Sequence, residues 1–125
     1  MARKKSPGLT DAELRLMEVI WEKGSASVNE VVEALPKRNP LAYSTVLTTL
    51  RILEEKGYLK HIKDGRAFIY RSVVGRDQAR QNAVRHLVRR FFDGSHGRLA
   101  LNLLETERID AAELNELRRK IKEAK

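Results

Sequence analysis

The sequence contains no cysteine, which rules out disulfides, zinc fingers and thiol chemistry, and its composition suits a reducing cytoplasm. It also has no apolar run approaching the roughly 20 residues of a membrane-spanning helix. The basic start MARKKSPG is not followed by the apolar stretch of a secretory signal, so a cytoplasmic protein without membrane insertion is expected. G-x-S-x-G, Walker A and H-E-x-x-H patterns are all missing, and Glu54-Glu55 and Glu105/Glu107 sit in charged surroundings where solvation keeps carboxylates ordinary. Catalytic residues are therefore expected to be none, and an enzyme is not predicted. Of three histidines, only His86 and His96 are near each other, with Asp93 between them, at no usual ligand spacing. Neither a metal nor a cofactor is expected.

Positive charge is present in excess and unevenly placed. The chain of 125 residues carries a formal +8, and residues 10–36 sum to −4 whereas residues 37–72 sum to +5. A basic segment next to an acidic one locates the face that would attract an anionic polymer such as double-stranded DNA. Residues 1–8, with Arg3, Lys4 and Lys5, read as a flexible basic arm able to lie along phosphates.

That basic segment also has the most informative pattern. Val46, Leu50 and Leu53 recur at helical spacing and Gly57 supplies a stop, predicting a helix over about 42–56. At about 100° per residue, Ser44, Thr48 and Arg51 fall opposite that stripe, with Thr45 at its edge. Hydroxyls and a guanidinium can meet base edges or phosphates, which suits a DNA groove better than an apolar partner. Ile52 lies on the same outward side without an explanation. Residues 58–63 and 66–72 then alternate around Asp64-Gly65, the signal for a two-residue type I′ hairpin, with Lys60, Lys63 and Arg66 expected to cluster near its tip.

Upstream, Thr10-Asp11-Ala12-Glu13 and Ser27-Val28-Asn29-Glu30 both match the capping box that opens a helix. The first helix is expected to turn Leu14, Met17 and Trp21 to the core and end near Gly24; the second carries Val28, Val31, Val32 and Leu35 and stops before Pro36. The order helix, helix, helix, hairpin predicts a mainly α protein with a small β-hairpin, an N-terminal winged helix-turn-helix over residues 9–75. From residue 76 to 125 the pattern is nearly continuous helix, with apolar positions that include Leu87, Val88 and Phe91, then Leu99 and Leu103, then Leu114, Leu117 and Ile121. About 50 residues of amphipathic helix bury their faces poorly alone, so this segment is expected to form a homodimer that presents two reading helices to a palindromic site.

The segments LTDAELRLMEVIWEKG, YSTVLTTLRILEEKGYL and DGRAFIY together resemble the penicillinase and methicillin-resistance repressors of the BlaI/MecI type, over Leu9 to about Lys120. The resemblance implies a homodimeric transcriptional repressor of β-lactamase or penicillin-resistance genes. Its DNA contacts would map to Tyr43, Ser44, Thr45 and Thr48, with Arg66 in the wing. It implies relief of repression through a membrane sensor protease pathway, with cleavage in the segment LALNLLE between Asn102 and Leu103. A related branch, the copper-responsive repressors of the CopY type, depends on a C-terminal cysteine cluster that this chain lacks. Two other readings stay open: a winged-helix regulator that senses a small molecule, and a winged-helix module for protein interaction or chromosome architecture.

Overall fold

A computed structural model of the protein describes residues 8–124, so the basic arm of Arg3, Lys4 and Lys5 lies outside the described residues. The elements run α1 (Asp11–Lys23), β1 (Ser25–Ser27), α2 (Val28–Ala34), α3 (Tyr43–Glu55), β2 (Leu59–Asp64), β3 (Ala67–Ser72), α4 (Arg76–Phe91), α5 (His96–Thr106) and α6 (Ala111–Glu123). They fall into two compact units that part between His86 and Leu87, inside α4.

Both capping boxes form. The Thr10 hydroxyl accepts the Glu13 N–H at 3.1 Å while the Glu13 carboxylate accepts the Thr10 N–H at 2.8 Å. Ser27 and Glu30 repeat the arrangement at 3.1 and 2.9 Å. Two otherwise orphaned helix donors are thereby satisfied at each start. Helix α3 stops in a Schellman motif: Tyr58 N–H donates to the Leu53 carbonyl and Gly57 N–H to the Glu54 carbonyl, both at 3.0 Å. That closure needs a left-handed residue, and Gly57 supplies it with φ +89°.

The first unit's core is built from one stripe of each element. Leu16, Met17 and Ile20 of α1, Val31 of α2, and Val46, Leu50 and Leu53 of α3 are fully buried, closed from below by Ala26, Leu59 and Tyr70 of the sheet. The α1 stripe differs from the sequence expectation of Leu14, Met17 and Trp21. Leu14 is 41% exposed and Trp21 is half-buried, its indole N–H donating to the Val74 carbonyl at 2.9 Å. Apolar residues flank Met17 on both sides of α1, so helical period alone permits either face; Leu16 and Ile20 win because that side meets α3 and the sheet.

Helices α1 and α3 are also joined by a buried ion pair. Lys56, at the C-terminal end of α3, donates to the Glu13 carboxylate at 2.8 Å and to the Gly8 carbonyl at 3.1 Å; both ionic side chains are under a tenth exposed. Each charge suits its helix end, an anion at the start of α1 and a cation at the finish of α3. Burial pushes the Glu13 carboxyl up, but hydrogen bonds from Lys56 and the Thr10 N–H outweigh it and hold the group below its ordinary value.

The sheet has three antiparallel strands in the order β1-β3-β2. Strand β1 goes beyond the expected hairpin: three residues cannot display alternation, and Ser25-Ala26-Ser27 becomes a strand only by pairing with Ile69 to Arg71. The hairpin loop is also displaced by one residue. Asp64 pairs with Ala67, leaving Gly65-Arg66 as the two-residue loop in place of Asp64-Gly65. Gly65 has φ +62° and Arg66 does not have positive φ, which fits type II′ and not type I′. This register confines the left-handed conformation to a glycine, whereas a type I′ loop on Asp64-Gly65 would impose it on Asp64 as well.

In the second unit, α4 ends at Asp93-Gly94, both with positive φ, where the Gly94 N–H reaches back to the Val88 carbonyl at 3.0 Å. Ser95 and Asp110 cap α5 and α6 through the N–H groups of Arg98 and Glu113. Neither α5 nor α6 has a fully buried residue.

Candidate nucleic-acid interface

Helix α3 is held by the burial of Val46, Leu50 and Leu53, and this fixes which side faces outward. Tyr43, Ser44, Thr45, Thr48 and Arg51 are all exposed. Ile52, unexplained from sequence, is half-buried at the edge of that face. Ala42 at the N-cap offers no side-chain hydrogen bond, so the first N–H groups of α3 are open to solvent or to an anionic oxygen. Further along, the Thr49 hydroxyl is committed to the Thr45 carbonyl at 2.8 Å, leaving Ser44, Thr45 and Thr48 as the outward hydroxyls.

The hairpin register sorts its cations. Leu59, His61 and Lys63 lie opposite Ser72, Tyr70 and Phe68 on the face that turns toward α3, while Lys60, Ile62 and Asp64 lie opposite Arg71, Ile69 and Ala67 on the other. Lys63 and Arg66 are thus near the tip, as expected. Lys60 is not: it pairs with Arg71 on the reverse face, about 13 Å along the strand from Asp64. The expected three-residue cluster is therefore two cations at the tip and one apart, because alternation in a strand separates residues three positions apart onto opposite faces.

Two grooves flank α3. One, lined by Arg51, Glu54, Glu55, His61, Phe68 and Tyr70, brings Arg51 beside the inner face of the hairpin. His61 ties its two walls together: its Nδ1 lies 2.5 Å from the Glu54 carboxylate, and its ring meets Phe68 edge-on with centroids 4.9 Å apart. Burial, reinforced by the Glu54 charge, raises the Tyr70 phenol above its ordinary pKa. The other groove joins Tyr43 and Leu47 of α3 to Arg66 at the hairpin tip and to Asn29 at the start of α2. The structure thus gathers Tyr43 with Arg66, and Arg51 with the hairpin, around one exposed helix.

His61 and Asn29 were not singled out for this surface. Strand alternation gives the signal for His61, which shares its face with Leu59; Asn29 enters only through tertiary packing and has no sequence signal. Among the described residues, no group of three or more acidic or histidine side chains could hold a metal ion.

The positions assigned to dimerisation lie on the second unit's surface. Leu87, Phe91, Leu103, Leu117 and Ile121 are 40–69% exposed, and Leu99 and Leu114 are half-buried. Asn102 and Leu103 are adjacent and exposed in the middle of α5. Among the described residues, no helix is long and apolar enough to cross a membrane.

A penicillinase repressor of Bacillus licheniformis is 35% identical over 122 residues, covering 98% of this chain and 95% of its own. The methicillin resistance regulatory protein MecI of Staphylococcus aureus (strain N315) is 28% identical over 91% of this chain and 93% of its own. Among solved structures, the DNA-binding domain of the repressor BlaI superposes with a TM-score of 0.52 at 39% identity, covering 61% of this chain and 93% of that domain. A family model described as Penicillinase repressor matches residues 9–123. The chain, a winged helix followed by further helices, belongs to the penicillinase repressor family.

Proposed function

We propose that this protein is a transcriptional repressor that reads double-stranded DNA with α3 and the β2-β3 wing, and that two copies joined through residues 76–125 occupy a palindromic operator. The observation that carries the reading is the exposed set of Ser44, Thr45, Thr48 and Arg51 on a helix whose opposite stripe is fully buried. Such a helix can enter a major groove without disturbing the core. Tyr43 and Arg66 flank it where backbone phosphates would run, and Lys60 and Lys63 add sequence-independent attraction.

Membership of the family supports control of β-lactamase or penicillin-resistance type genes in the cytoplasm, as do relatives named for penicillinase and methicillin resistance. The dimer reading is supported by the apolar side chains that α4, α5 and α6 leave exposed, Leu87, Phe91, Leu103, Leu117 and Ile121 among them, which a second copy could cover. Relief by a membrane sensor protease pathway through cleavage at Asn102-Leu103 is the regulatory part of the proposal. A cut there would divide α5, and loss of the dimer would remove the effective concentration by which two weak half-site contacts act as one strong one.

The test is selectivity. The full chain should prefer an inverted repeat taken from DNA flanking its own gene over a scrambled duplex by on the order of 10³ at moderate salt. Equal affinity would replace the repressor with a general basic module, and incubation with a sensor protease encoded nearby that leaves Asn102-Leu103 intact would remove the cleavage step.

A further inference from the structure

Leu14 and Trp21 are not idle surface residues: they form one wall of an open-mouthed cavity of about 220 Å³ on the first unit, lined also by Leu9, Tyr58, Ala79 and Ala83. The hollow exists because α4 presents alanines, at positions 79 and 83, opposite the large side chains of α1. Its lining is overwhelmingly apolar. Charge is confined to the rim, where two guanidiniums face one carboxylate. Arg76 is occupied, bound to Glu18 at 2.8 Å and stacked over the Trp21 ring at 5.5 Å. Arg80 is not held in this way: its side chain is 72% exposed and its contact with Asp77 is a loose 3.5 Å.

We propose that this cavity is a binding site for a compact hydrophobic monocarboxylate, its ring or branched chain packed between Trp21, Leu14 and Ala83 and its carboxylate met by Arg80 at the rim. The apolar volume selects a small, uncharged body, since burying a second polar group there without a partner would be costly. The rim selects the sign, because a cationic headgroup would meet Arg76 and Arg80 and an anionic one gains a guanidinium fork. The site is separate from the exposed face of α3 and does not rest on the DNA-binding reading.

Trp21 is the chain's single tryptophan, so its emission reports the cavity directly. Titrating the full chain with cyclohexanecarboxylate, which is transparent where indole absorbs, should give a saturable change in that emission. The neutral isostere cyclohexylmethanol should bind about tenfold more weakly. Ala83→Leu, at the mouth of the cavity, should abolish the response by filling the space, and Arg80→Gln should erase the preference for the acid while keeping the alcohol response. Absence of a saturable change in the folded full chain overturns the proposal, as does an unaltered response in Ala83→Leu.

Discussion

Lys56→Met should be among the most damaging single substitutions that leave the apolar core intact. Lys56 and Glu13 are both almost fully enclosed and 2.8 Å apart, so removing the ammonium leaves a buried carboxylate whose strongest partner is gone. Breaking such a pair costs about 3–5 kcal/mol, and the surviving Thr10 N–H bond to Glu13 points to the lower end, roughly 3 kcal/mol. The Gly8 carbonyl loses its donor as well. The loss should depend on pH in a definite direction. Glu13 titrates below its ordinary value of 4.5 when folded, so the pair's contribution is fully present above that value and fades as pH falls through the folded pKa. Urea unfolding followed by Trp21 emission, at one protein concentration, should therefore show a large gap between wild type and variant at pH 7 and a smaller one near pH 3. Adding Glu13→Gln to Lys56→Met should recover about 2 kcal/mol at pH 7, because the stranded charge is gone. A loss under 1 kcal/mol, or one equal at both pH values, would refute the claim that this buried pair fastens the end of α3 to the start of α1.

Other substitutions separate the roles of the surface. Ser44→Ala or Thr48→Ala should weaken cognate DNA alone by about 1–3 kcal/mol in a fluorescence anisotropy titration, whereas Lys60→Ala or Lys63→Ala should weaken all DNA alike and flatten the salt dependence. Leu117→Asp or Ile121→Asp should halve the mass seen in analytical ultracentrifugation if α6 contributes to the dimer; a persistent dimer would place the contact elsewhere. Gly57→Ala should cost about 1–2 kcal/mol in thermal unfolding, since its φ of +89° disfavours any side chain; an unchanged midpoint would contradict the Schellman stop.

Much of the first unit was legible because its signals are local. The two capping boxes, the Val46-Leu50-Leu53 stripe and the Gly57 stop each depend on residues a few positions apart, and each appears where the spacing put it. Strand β1 was not legible, because Ser25-Ala26-Ser27 has no pattern of its own and is recruited by β3. The hairpin is evident in the sequence but the position of its loop is not, since Asp-Gly and Gly-Arg are both two-residue loops and only the pairing of the whole strand decides between them. Leu14 and Trp21 failed for another reason: helical period counts apolar residues but not the size of what faces them, and opposite these two α4 places alanine. On the outward face of α3, helical phase alone set Ser44, Thr48 and Arg51 toward solvent, while the neighbours that frame them, His61 and Asn29, depended on strand register and on tertiary packing.

Half-site spacing decides whether two copies of α3 and its wing read one operator together. Starting from an inverted repeat that the full chain binds, about five base pairs are inserted between its halves, turning them to opposite sides of the duplex, and affinity is measured before and after. Affinity should fall by a factor on the order of 10² or more, because the two reading helices can no longer engage at once. Unchanged affinity would contradict joint reading, and would mean that each winged helix binds DNA alone.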